Sequence, residues 1–254
     1  MFKKPFFLVL CILAITIPMT GQSQVTRQEL SAVFDIYFEI YTPRLNEGER
    51  IKFNHIAFEG QPDWLDYDVF RASYHYGPDY DGNHIHYVWI FGGVLTADFM
   101  TVDGLGLLMC HEFGHGFAGP PYKVSGSSTE GQADYYSTGR CLDDFFDRWP
   151  LDQSIEEHYS DYPVEVLELC DYDLRCLRKM RAIETRMGDF YYNEHTTTSL
   201  LDRDESIVDI VETDDWYYPS QQCRVDTYIA GALELPRPSC WYAPGTYSLT
   251  KKGN

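Results

Sequence analysis

The pattern of apolar and polar positions changes character several times along the chain. Phe6 to Ile17 is an apolar stretch of 12 residues with no charge. From about Thr26 to Tyr41 the spacing is helical. Between about Glu49 and Leu95 it becomes strand-like. Ile51-Lys52-Phe53-Asn54-His55-Ile56 and Val69-Phe70-Arg71-Ala72-Ser73-Tyr74 are β-rich, and the stretch from Tyr76 to Asn83, with its Gly and Pro, reads as a turn. His84-Ile85-His86-Tyr87-Val88-Trp89-Ile90-Phe91 is the clearest strand, stopped by Gly92-Gly93. Helical spacing returns at Asp103, which can cap a helix running to about Gly116, with Leu105, Leu108, Met109 and Phe113 as its apolar residues. A second helix is predicted from Ser127 or Ser128 to about Phe146. Residues 149–215 are acidic and predicted mostly helical, with Leu and Val at helical spacing, and read as an insertion packed on the core. A further helix is predicted after Pro219, within Trp216 to Leu235, followed by a Pro-rich tail carrying Cys240. A helix, then strands, then helices, without internal repeats, read as a single α+β domain with an N-terminal antiparallel or mixed sheet followed by helices.

The first apolar run has a specific reading. Lys3 and Lys4 precede it, Pro18 ends it, and Gly21-Gln22-Ser23 places small residues at a cleavage site, so residues 1–23 read as a secretory signal. The competing reading, an uncleaved anchor helix, needs about 20 apolar residues to span a bilayer. Export is therefore the expectation, into the periplasm or outside the cell, with no stable membrane insertion afterwards. Of seven cysteines, Cys11 leaves with the signal. Cys110, Cys141, Cys170, Cys176, Cys223 and Cys240 remain, an even count that suggests up to three disulfides. The chain carries 39 acidic against 20 basic side chains, a formal charge of −19. That balance argues against nucleic acid or an anionic membrane as the main partner.

The chemistry is concentrated in Cys110-His111-Glu112-Phe113-Gly114-His115, which contains HExxH. On a helix His111 and His115 lie one turn apart on one face, so both imidazoles can reach a single ion. Glu112 stands beside that ion as a general base for water. Zinc suits such a set, and the bland alternative is a chance pair of surface histidines beside a glutamate. Fifteen residues after His115 comes Glu130-Gly131-Gln132-Ala133-Asp134. Glu130 and Asp134 share a helix face, so Glu130 can complete the ligand set and Asp134 can orient a ligand imidazole. Against this, Ser127-Ser128-Thr129-Glu130 also reads as a capping box, an ordinary helix start. Cys141 continues the Asp134 face and Cys110 adjoins His111, which makes Cys110–Cys141 the preferred disulfide. Cys110 points about 100° around the helix from His111 and is not a ligand. The longer motif with a third histidine is absent, since Ala118 and Pro121 stand at its last two fixed positions.

These motifs resemble the gluzincin metallopeptidases, in particular the CAAX-prenyl endopeptidase family and its small soluble relatives, the minigluzincins. The stretch Val88-Trp89-Ile90-Phe91-Gly92-Gly93-Val94-Leu95 leads through Asp103-Gly104-Leu105 into HExxH, then ExxAD follows, and Tyr218-Pro219-Ser220-Gln221-Gln222-Cys223-Arg224 is similar to the family's His-Pro-x4-Arg. The resemblance spans roughly Ile85 to Leu235, interrupted by the acidic stretch. It implies a small zincin-like domain and a zinc endopeptidase, with His111, His115 and Glu130 as ligands of one zinc ion, Glu112 as base, and Arg224 on the substrate side of the cleft. Tyr218 stands where the family has a histidine that assists the polarised carbonyl. Its hydroxyl can donate to an oxyanion, and it is equally one tyrosine among 20. Arg224 is equally readable as half of a structural salt bridge. The strand Ile85 to Phe91 is expected to offer a free edge to an extended peptide, with His84 and His86 as exposed edge histidines rather than ligands. The expected partner is a peptide or protein substrate. The rival expectations are a non-catalytic zinc- or peptide-binding protein on the same scaffold, and another zinc amidohydrolase such as a cell-wall amidase.

Overall fold

The computed structural model describes residues 25–55, 61–79, 81–149 and 162–244; the signal segment lies outside them. Helix α1 (Arg27–Tyr41) starts at a reciprocal Thr26–Glu29 capping box and buries Leu30, Val33, Tyr37, Ile40 and Tyr41 at three- and four-residue spacing. Three strands follow, β1 (Arg50–Phe53), β2 (Ala72–Pro78) and β3 (His84–Ile90). After the short α2 (Gly92–Thr96) come α3 (Val102–Phe117) and α4 (Glu130–Tyr136). Helix α4 passes through a π turn at Ser137–Cys141 directly into α5 (Leu142–Phe146). The chain ends with α6 (Val164–Leu169), α7 (Leu174–Glu194) and α8 (Gln221–Ala232). The protein is thus mixed α and β, with one small mixed sheet and several helices.

The sheet order is β1-β3-β2, with β1 parallel and β2 antiparallel to β3. This corrects one expectation. Strand β3 is central, paired on both sides, and its main chain has no free edge to offer a peptide; among the described residues the edge strands are β1 and β2, of which β2 lines the cleft. His86, Val88 and Ile90 point inward from β3, and His86 is buried rather than exposed, its ring stacked 4.8 Å from Phe117. Its Nδ1 bonds the Tyr74 hydroxyl at 2.7 Å, and only His84 is exposed. Strand β2 also runs on to Pro78 and begins at Ala72, so the turn is shorter, and the strand later, than the Gly and Pro positions suggest.

Helix α3 is the hub. Every residue from Asp103 to Gly114 is buried, with α1, α4, α7 and the sheet around it. Thr101, not Asp103, caps it by accepting from the Gly104 N–H at 3.0 Å. Asp103 is instead held by a two-pronged Arg178 guanidinium, both bonds 2.7 Å and both side chains buried. That pairing makes α7 part of the core. Leu177, Met180 and Ile183 of α7 are fully buried. The helical expectation for 149–215 holds in α6 and α7, whereas residues 195–215 run without helix and residues 150–161 lie outside the described residues. Three disulfides, Cys110–Cys141, Cys170–Cys176 and Cys223–Cys240, pair all six cysteines beyond the signal segment. The first ties α3 to the π turn. No helix among the described residues is long and apolar enough to cross a membrane.

Candidate metal centre

Helix periodicity puts His111 and His115 on the face of α3 that meets α4. Gly114, between them, allows the close approach: a Cβ there would lie 2.8 Å from the Ala133 Cα. With the two helices in contact, Glu130 at the first turn of α4 faces both imidazoles. Its Oε2 is 3.2 Å from His111 Nε2 and its Oε1 is 3.5 Å from His115 Nε2. The capping-box alternative for Glu130 is not what forms here. The helix is capped at Thr129 without a side-chain bond, and the Ser128 hydroxyl donates to the Gly119 carbonyl at 2.7 Å instead.

The outer nitrogens of the two rings are both engaged. His115 Nδ1 donates to the Ser128 carbonyl at 2.9 Å, and His111 Nδ1 lies 2.7 Å from Asp134 Oδ1. In the neutral form of each ring, a proton on Nδ1 leaves the Nε2 lone pair for an ion. Asp134 is in turn gripped by Arg224, Nε to Oδ2 at 2.7 Å and Nη2 to Oδ1 at 2.8 Å, and the same guanidinium comes within 3.4 Å of Glu130 Oε2. Arg224 therefore spends its fork on Asp134 and lies behind the ligand cluster, although it still lines the cleft.

Electrostatics separates the two histidines. Burial opposes the charged form of His111, but the Asp134 and Glu130 carboxylates outweigh it and push the imidazole up to about 9. His115, buried and with weaker compensation, is pulled down to about 4. Burial would raise Asp134 and Glu130; the surrounding cations and imidazoles win and hold both carboxyls well below the usual range. Glu112 goes the other way. Buried beside Glu130, and only partly offset by His111, Arg186 and Arg224, its carboxyl is raised. Two glutamates of one cluster are thus shifted in opposite directions, Glu130 down and Glu112 up.

The donor set fits zinc. A tetrahedral ion with ligands at about 2.0–2.1 Å needs donors about 3.3–3.4 Å apart, which the two Glu130–imidazole separations bracket. The ligand atoms of His111, His115 and Glu130 all lie within 4.8 Å of one another. The cleft around them has a volume of about 1100 Å³, beyond the roughly 300–1000 Å³ of small-molecule pockets. One wall is β2 from Ala72 to Tyr76, the opposite one the Arg186, Asp189 and Phe190 face of α7. Tyr218 stands at the mouth, half exposed, its ring 5.8 Å from the Arg224 Cζ. Sequence reasoning missed two residues here. Tyr74, whose hydroxyl occupies the space over Gly116, carried a faint signal in the alternation of β2. Lys123, which bonds Glu130, carried none. Comparison of the chain with known protein families, characterised proteins and solved structures finds no match.

Proposed function

We propose that this protein is an exported zinc-dependent endopeptidase, a small zincin-like domain of the kind its HExxH and ExxAD motifs resemble. The observation that carries the reading is the convergence of His111 Nε2, His115 Nε2 and the Glu130 carboxylate, with both outer imidazole nitrogens tied down. A structural site would have no use for the fourth member, Glu112, a buried carboxyl of raised proton affinity in the same cleft. Zinc, when bound, would polarise the scissile carbonyl and acidify a water. Glu112 accepts the proton of the attacking water and returns it to the leaving amine. Asp134 and Arg224 act behind the ligands as positioning residues. The free edge of β2 offers main-chain hydrogen bonds to an extended peptide along the cleft. Tyr218 at the mouth is the candidate donor to the developing oxyanion. The three disulfides and the signal-like N-terminus support a periplasmic or extracellular site of action.

The test is cleavage of a mixed library of unstructured peptides by the zinc-loaded protein beside its Glu112→Gln variant. The expected result is cleavage that falls at least 10²–10⁴-fold in the variant while zinc stays bound. Zinc binding without cleavage by the parent would sink the peptidase and favour the non-catalytic binder, or an amidase whose substrate is not an ordinary peptide.

A further inference from the structure

The loop between α3 and α4 is a tight hairpin that turns one side chain inward. The Lys123 N–H donates to the Ser127 carbonyl at 2.7 Å, Gly126 N–H returns to the Lys123 carbonyl at 3.0 Å, and Tyr122 bridges Ser128. The hairpin is tied to the segment before α8, through Val124 N–H to the Thr213 carbonyl at 3.0 Å and Ser125 N–H to Asp215 Oδ1 at 2.9 Å. From this fixed backbone the Lys123 ammonium reaches the ligand cluster. Its Nζ lies 2.7 Å from Glu130 Oε1, 5.6 Å from the Tyr218 ring centroid, and its side chain is only 9% exposed.

A buried ammonium needs a counter-charge. Among the described residues Glu130 is the carboxylate in ion-pair contact with Lys123, through the oxygen that also faces His115 Nε2. The lysine and an ion held by the trio would therefore draw on one anion, and their like charges would repel. We propose that Lys123 is an internal competitor of the metal: its ammonium neutralises Glu130 when no ion is held, and yields that carboxylate, wholly or in part, as the metal binds. The flexible four-carbon stem can swing into the open cleft while the hairpin stays pinned. Lys123 thereby sets the affinity of the site and keeps the metal-free cluster folded. This inference rests on the metal centre proposed above and not on peptidase activity.

The experiment compares the parent with Lys123→Met, which keeps the stem and removes the charge, and Lys123→Arg, which retains it. Zinc affinity is measured by competition with a chromogenic chelator, and thermal unfolding is followed with and without zinc. Lys123→Met should bind zinc about tenfold tighter or more, on the scale by which neighbours of metal ligands act, and Lys123→Arg should stay close to the parent. Without zinc the Met variant should melt below the parent, since Glu130 loses its buried partner, and zinc should raise its Tm by more. Equal or weaker zinc affinity in Lys123→Met, or no zinc binding by any of the three, overturns the proposal. Tighter binding by a protein that cuts no peptide supports it and removes only the peptidase reading; active peptidases with indifferent affinity do the reverse.

Discussion

Arg224 holds both carboxylate oxygens of Asp134, at 2.7 and 2.8 Å, while Asp134 Oδ1 lies 2.7 Å from His111 Nδ1. The three buried groups form a file from α8 through α4 to α3, so the orientation of one imidazole depends on a helix ninety residues further along the chain than Asp134.

Breaking that file has a calculable cost. Arg224→Met strands a buried Asp134 charge, and the protein should lose about 3–5 kcal/mol of stability. Zinc affinity should fall roughly 10–100-fold. Arg224→Lys should restore little, because one ammonium cannot span two oxygens. Denaturant unfolding and zinc competition on the three proteins check this, and an undiminished zinc affinity in Arg224→Met would remove the positioning role.

Glu112 should make the metal-free protein less stable as the solution becomes less acidic. Its folded-state proton affinity is raised above that of the unfolded chain, chiefly by burial. Its contribution is therefore complete below the unfolded carboxyl pKa of about 4.3, and is lost as pH rises through the folded value. Glu112→Gln mimics the protonated side chain and escapes that loss. Thermal unfolding without zinc should show the variant gaining on the parent between pH 4 and pH 7; a constant difference would place Glu112 in ordinary solvent.

Gly114→Ala separates local from tertiary effects. Helix propensity alone would reward the change by about 1 kcal/mol. The added methyl, however, meets the Ala133 backbone at 2.8 Å and must push α4 away from α3. The expectation is a net loss of about 1–3 kcal/mol, with zinc affinity reduced because Glu130 retreats from the histidines. A variant more stable than the parent would show that the two helices have room to spare.

Removing the Cys110–Cys141 cross-link by a double Cys→Ala change releases a connection between residues 31 apart. Chain entropy puts that at about 3–4 kcal/mol. Because Cys110 adjoins His111 on α3 and Cys141 lies in the turn that ends α4, zinc binding should weaken as well. Unfolding in denaturant, compared with the Cys170–Cys176 double variant whose bridge spans only 6 residues, gives the scale.

The amino-acid sequence by itself determined what depends on short-range periodicity. An α-helix repeats every 3.6 residues, so His111 with His115, and Glu130 with Asp134, had to share faces wherever those helices packed. The apolar spacing likewise marked α1 and α3, whereas the meeting of Cys110 with Cys141 depends on α3 packing against the π turn. The tertiary structure alone decided which neighbour each distant group meets. Strand alternation reads the same in an edge and in a central strand, so the place of β3 at the middle of the sheet was not given by its period of two. A hint lay in Ile85, Val88 and Ile90, apolar positions spread over both faces and all fully buried. Asp103 looked like a cap because carboxylates favour helix starts, and only the packing of α7 supplied Arg178 as a stronger partner. Lys123 and Arg224 are ordinary basic residues in the sequence. They belong to the centre because each sits against a buried carboxylate, Lys123 at Glu130 and Arg224 at Asp134, and those pairs exist only once α3, α4 and α8 have closed on one another.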